Sequence, residues 1–116
     1  MRQFEELRIW QDARIFVSKI YTLTAESKDF GFNDQIRRAA VSIMNNIAEG
    51  NDSGSDSLFV RFLHIAKASC SEVKSMLYLA EDFNICSKEE AQNLRQESKI
   101  ISAGIFKLID YLKNKK

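Results

Sequence analysis

Glu72 stands on a helical row otherwise made of Leu58, Phe62, Ile65, Met76, Leu79 and Phe83, with Ser69 one turn before it. A carboxylate on an apolar row is costly unless a cation or a hydrogen-bond donor meets it. Arg38 is the expected partner. Gln35, Ser42, Asn46 and Glu49 lie near Arg38 on the same helix face, and with Ser69 and Glu72 they make a polar network that would fix the register of two helices. Two other readings exist. Glu72 or Glu49 could be a catalytic acid whose pKa burial has raised, or the polar stripe could simply be the solvent face of its helix.

The remaining ingredients of catalysis are thin, and the expectation is a protein that is not an enzyme and uses no metal or cofactor. His64 is the only histidine, and Arg61 rather than Glu stands three residues before it, so the Glu-x-x-His pairs of a di-iron bundle are missing. His64 also falls away from the helix side of Ser69, which leaves that hydroxyl without a general base. Gly50 and Gly54 bracket Asn-Asp-Ser with no Lys-Ser/Thr after them, unlike a phosphate loop. Cys70 and Cys86 are 16 positions apart, roughly 24 Å along a helix, beyond disulfide reach. Neither belongs to a Cys-x-x-Cys pair, so buried thiols in a reducing compartment are expected rather than zinc.

Phosphate binding is the other chemistry on offer. Arg37 and Arg38 are adjacent, Lys67 and Lys74 are one heptad apart, and Lys113, Lys115 and Lys116 form a basic tail. Against this, 17 basic and 16 acidic residues leave a net charge of only +1, so any nucleic-acid site must come from clustering rather than from overall charge.

These residues need helices to position them. The 116 residues suit one domain, with 45% hydrophobic and 28% charged side chains, no proline and four glycines, a composition that favours an all-α fold. The spacing predicts helices over about 5–27, 34–50, 55–83 and 88–114. Asn33 or Asp34 would cap the second, Gly50 would end it in a left-handed conformation, and Ser87 with Glu90 forms a capping box for the fourth. Short connections favour an antiparallel up-down-up-down four-helix bundle. No apolar run approaches the roughly 18 residues of a membrane span, and the first residues lack the apolar core of a signal peptide, so a cytoplasmic location is expected.

The middle helices carry excess apolar surface. The second is apolar on most sides. The third has a further seam beside that of Glu72, formed by Phe59, Leu63, Ala66, Cys70, Val73, Leu77 and Ala80. Four helices have little use for so wide an arc, and self-association is expected.

Three stretches carry a family resemblance: Leu7-x-Ile9-Trp10-Gln11-x-Ala13; Gln35-Ile36-Arg37-Arg38-Ala39-Ala40-Val41-Ser42-Ile43-x-x-Asn46-Ile47-Ala48-Glu49-Gly50; and Phe62-Leu63-x-Ile65-Ala66-x-x-Ser69-x-x-Glu72. They closely resemble the bacterial four-helix-bundle proteins encoded within intervening sequences of large-subunit ribosomal RNA genes. The resemblance implies a homopentameric ring of bundles. It also implies kinship with the accessory protein of diversity-generating retroelements, a similar ring that binds RNA and a reverse transcriptase. Met44 stands where the family often has proline, which should straighten the second helix, and Ala68 where it often has glycine, which would widen a close helix contact. The combined expectation is a self-assembling, non-catalytic helical module that binds RNA or an RNA-associated protein. The alternative is a purely structural oligomer without nucleic acid.

Overall fold

The computed structural model describes residues 2–115. A single 3-10 turn, Phe4–Glu6, leads into four helices: α1 Arg8–Thr24, α2 Phe30–Asn51, α3 Asp56–Asp82 and α4 Lys88–Asn114. No strand occurs among the described residues. Residue pairs across each interface run in opposite directions, as an up-and-down bundle requires. Gly50 lies against Phe59 and Ser42 bonds Ser69 between α2 and α3. Lys115 meets Asp56 and Arg95 meets Glu81 between α4 and α3. Ile9 approaches Gly104 and Lys19 meets Glu97 between α1 and α4. The result is a rod measuring 49 × 20 × 19 Å. None of its described helices is long and apolar enough to cross a membrane.

The core follows the expected periodicity. Along α3 the seam Phe59, Leu63, Ala66, Cys70, Val73, Leu77 and Ala80 is wholly buried. It meets Ile36, Ile43 and Ile47 of α2 and Ile101, Ile105 and Leu112 of α4 in one apolar cluster. Ser98 is a buried polar member of the α4 seam; its hydroxyl donates to the Cys70 carbonyl at 2.8 Å, so it spends no unpaired polarity in the core.

Helix ends differ from expectation in four places, each for a local reason. α1 begins at Arg8, not near residue 5, because the chain first tightens into the 3-10 turn that sets the Phe4 ring 5.1 Å from Trp10. α1 stops at Thr24, not near residue 27, because the chain tightens into turns in which the Ala25 amide donates to the Thr22 carbonyl and the Ser27 amide to the Thr24 carbonyl. α2 begins at Phe30, not 34. Asp29 is the cap, its carboxylate accepting from the Phe32 amide at 3.2 Å, and Gly31 is absorbed into the first turn. Asn33, expected as a cap, is instead buried and donates back to the Ser27 carbonyl at 2.9 Å, which ties down the connection from α1. Gly50 does not take a left-handed conformation; α2 continues through it to Asn51. Its role is close approach: a Cβ there would sit 2.7 Å from Phe59 Cδ1 and 2.9 Å from Phe62 Cβ. The left-handed glycine is Gly54, φ 87°, in the loop before α3.

The expected capping box is present at α4, with Ser87 Oγ accepting from the Glu90 amide at 3.0 Å and the Glu90 carboxylate accepting from the Ser87 amide at 2.9 Å. With Met44 in place, α2 runs unbroken for 22 residues. Ala68 is exposed and spaces no helix pair within the chain.

Candidate nucleic-acid interface

Two of the basic residues singled out above, Lys67 and Lys74, lie on one wall of a groove between α3 and α4. They reach it because positions 67, 71 and 74 share one helix face, so Ser71 stands between them. The opposite wall is α4, which contributes Lys99, Ser102 and Phe106. The groove encloses about 400 Å³, and its lining contains three lysines and no carboxylate. Cys70 and Ser98 form its floor. Burial pushes the Cys70 thiol from 9.0 up to about 12, against a smaller opposing pull from Ser98 and Lys67, so it is a packing group and not a nucleophile.

One turn beyond Lys74 on α3 is Tyr78, and one turn before Lys99 on α4 is Arg95. The Arg95 guanidinium lies over the Tyr78 ring at 3.9 Å and meets Glu81 at 3.3 Å. Tyr78 nevertheless remains 53% exposed, and Phe106 near the other end is 57% exposed. The face thus runs from one aromatic ring to another with three lysines between them.

Arg37 and Arg38 lie elsewhere, in a groove of about 570 Å³ beside α2 that also includes Tyr21 of α1. Arg37 is half-buried; its Nε donates to Thr24 Oγ1 at 2.9 Å and its guanidinium lies 4.6 Å from the Tyr21 ring centre. Arg38 is exposed. Asp34 and Glu49 share this groove, so its charge is mixed and it suits phosphate less well than the α3–α4 groove. At the tail, Lys113 is exposed, while Lys115 Nζ meets Asp56 Oδ2 at 3.0 Å. The Asp56 hydrogen bond and charge push the Lys115 ammonium pKa up and hold it against the α3 start. Lys116 lies outside the described residues.

The expected polar network contracts to its smallest members. Ser69 Oγ donates to Ser42 Oγ at 2.9 Å, and Asn46 Nδ2 donates to the same hydroxyl at 3.0 Å and to the Ser42 carbonyl at 2.8 Å. Glu72, Arg38, Gln35 and Glu49 are all exposed, and Glu72 and Arg38 form no ion pair among the described residues. The Glu72–Arg38 latch is therefore replaced by a hydroxyl latch. The physical reason is that the Glu72 row straddles the rim of the α2–α3 contact. Ser69 and Met76 turn inward and are buried, whereas Leu58, Ile65, Leu79 and Phe83 are 40–55% exposed, and the Glu72 carboxylate stays in water with them.

Lys99, Tyr78, Arg95 and Phe106 were not singled out from the sequence. Lys99 directly follows Ser98 of the α4 seam, which marks it as flanking the core. Its proximity to Lys67 and Lys74 depends on the α3–α4 register, which no single helix encodes. Among the described residues no group of three histidine, cysteine or acidic side chains could hold a metal ion.

Comparison with known proteins adds to this geometry. The family model of the 23S rRNA-intervening sequence protein matches residues 5–107. The chain belongs to that family. Among solved structures it is similar to a protein of unknown function from the S23 ribosomal protein family of Bacteroides thetaiotaomicron. The TM-score is 0.81 at 25% identity, over 87% of this chain and 97% of that one. No curated protein matches it. The matched region contains every residue that lines the two grooves and leaves out the tail lysines Lys113, Lys115 and Lys116.

Proposed function

We propose that this member of the intervening-sequence family is a non-catalytic, self-assembling helical module that binds RNA, with the α3–α4 groove as the contact surface. The observation that carries the reading is the lysine triad Lys67, Lys74 and Lys99 around a groove without a carboxylate, in a chain whose net charge is only +1. Local clustering does here what overall charge does not.

Self-assembly is supported by a separate observation. Leu58, Ile65, Leu79 and Phe83 follow one row along the outer edge of α3 and are 40–55% exposed, and a row of exposed apolar side chains calls for a partner. In this proposal the partner is another copy, and a pentameric ring repeats the lysine groove on each subunit, so weak phosphate contacts accumulate. The same row favours the second reading, a purely structural oligomer that ignores nucleic acid.

Two measurements on the purified protein separate these readings. Light scattering gives the mass: a multiple of 13.3 kDa is expected, and a monomer at working concentration rejects self-assembly. Fluorescence anisotropy with a labelled RNA, repeated across salt concentrations, tests the groove. Three engaged lysines predict a slope of log affinity on log salt of about −2 to −3 per subunit, reduced in Lys99→Ala. Assembly without salt-sensitive RNA binding leaves the structural oligomer.

A further inference from the structure

We infer that the α3–α4 groove takes an unpaired RNA strand, with bases stacked on Phe106 and Tyr78 and the intervening phosphates on Lys67, Lys74 and Lys99. The inference rests on the RNA reading of this groove and specifies the form of RNA that fits it.

The two aromatic side chains carry the argument. Phe106 lines the groove beside the lysines and is 57% exposed; Tyr78, one helical turn beyond Lys74, is 53% exposed. Exposed rings flanking a basic groove present flat apolar faces to whatever the lysines attract. A duplex offers phosphates to lysines, but its base faces are already stacked on one another, and it leaves uncovered the Phe106 ring and the face of Tyr78 that Arg95 does not occupy. An unpaired strand offers both groups at once: phosphate for the ammonium, and a base face for the ring.

Geometry agrees with this division. From Lys67 to Lys74 is two helical turns, about 10 Å, and from Lys67 to Tyr78 about 16 Å. The groove therefore accommodates a short stretch of extended backbone along the helix axes, with a ring near either end. Tyr78 is also prepared for stacking. Arg95 lies over its ring at 3.9 Å and is itself fixed by Glu81 at 3.3 Å, so the ring is held in place before a base arrives. Ser71 and Ser102 place hydroxyls between the lysines. These can donate to phosphate or to a ribose 2′-hydroxyl, with no need to read base identity.

The test compares one labelled 12-nucleotide RNA, free and annealed to its complement, at low salt. The unpaired strand should bind about tenfold more tightly than the duplex. Phe106→Ala, a change at an exposed side chain, should reduce affinity for the unpaired strand about tenfold and leave duplex binding unaltered. Phe106→Trp should retain affinity and show quenched indole emission when the unpaired strand is added. Equal or tighter binding of the duplex, or an unpaired-strand affinity indifferent to Phe106→Ala, overturns this inference while leaving the RNA reading intact. Failure of both RNA forms to bind overturns the RNA reading itself.

Discussion

Glu72 shows how one side chain can mislead. Placed on a row of Leu, Ile, Phe and Met, it looks like a buried carboxylate in need of Arg38. In the folded chain that row lies at the outer edge of α3, and Glu72 is exposed. Substitution Glu72→Gln should accordingly change the folding free energy by less than about 0.5 kcal/mol in chemical denaturation, as for ordinary surface positions. A loss of several kcal/mol would point to a buried ion pair. Cys70 makes the opposite case. Its thiol is packed under the lysine groove and its pKa is raised from 9.0 to about 12, mainly by desolvation. Below pH 9.0 the thiol is protonated whether the chain is folded or not and contributes no pH dependence. Between pH 9.0 and about 12 the unfolded chain releases the proton and the folded chain keeps it, so stability falls as pH rises. Melting temperatures measured across that window should decline less steeply in Cys70→Ala than in the unaltered protein.

At the scale of helices, most of the pattern was legible. The α3 row from Phe59 to Ala80 is buried throughout, whereas the Glu72 row beside it is buried only at Ser69 and Met76. Apolar spacing is a property of one helix and is written within it, but which of two adjacent rows faces inward is not. The α4 capping box was readable for the same reason, since Ser87 and Glu90 act within one turn. What failed to be legible belonged to pairs of helices. Gly50 was read as a helix terminator from its position before a loop. Its function is to let α2 approach Phe59 and Phe62, a fact that resides in both helices together. Gly50→Ala should therefore lower stability, by up to about 2 kcal/mol, in a denaturant titration. Overpacking costs about 1–3 kcal/mol, and the better helix propensity of alanine returns about 1 kcal/mol. A stabilised variant would mean that Phe59 moves aside freely. Lys99 was missed for the same reason as the role of Gly50: the groove it completes exists only once α3 and α4 are set in register.

For the molecule as a whole, fold and site were unequally encoded. Missing proline, four glycines, short connections and continuous heptads pointed to the bundle from the sequence alone. Ser42, Asn46 and Ser69 of the hydroxyl latch were all named in the expected network, but the larger polar residues named with them, Gln35, Arg38, Glu49 and Glu72, face water. The basic face was recovered only through Lys67 and Lys74, since its other members come from a helix distant in sequence. The two α3 seams divide the work between inside and outside. Phe59 to Ala80 fills the core, whereas Leu58, Ile65, Leu79 and Phe83 remain on the rim. One helix thus holds the subunit together and also presents its apolar edge to others.

The first helix has a different standing from its neighbours. α1 has 17 residues against 27 in α3 and α4, and no side chain caps its start. Across its border with α4, Ile15 and Ile100 are more than half exposed, and the bridge from Lys19 to Glu97 is a surface contact. The bundle is consequently sealed most lightly along the border of α1 with α4. In native-state deuterium labelling, amides of α1 should open and exchange sooner than those of the α2–α3 pair, as a sub-global event well below complete unfolding. A uniform exchange rate across all helices would show instead that the subunit loosens only as a single block.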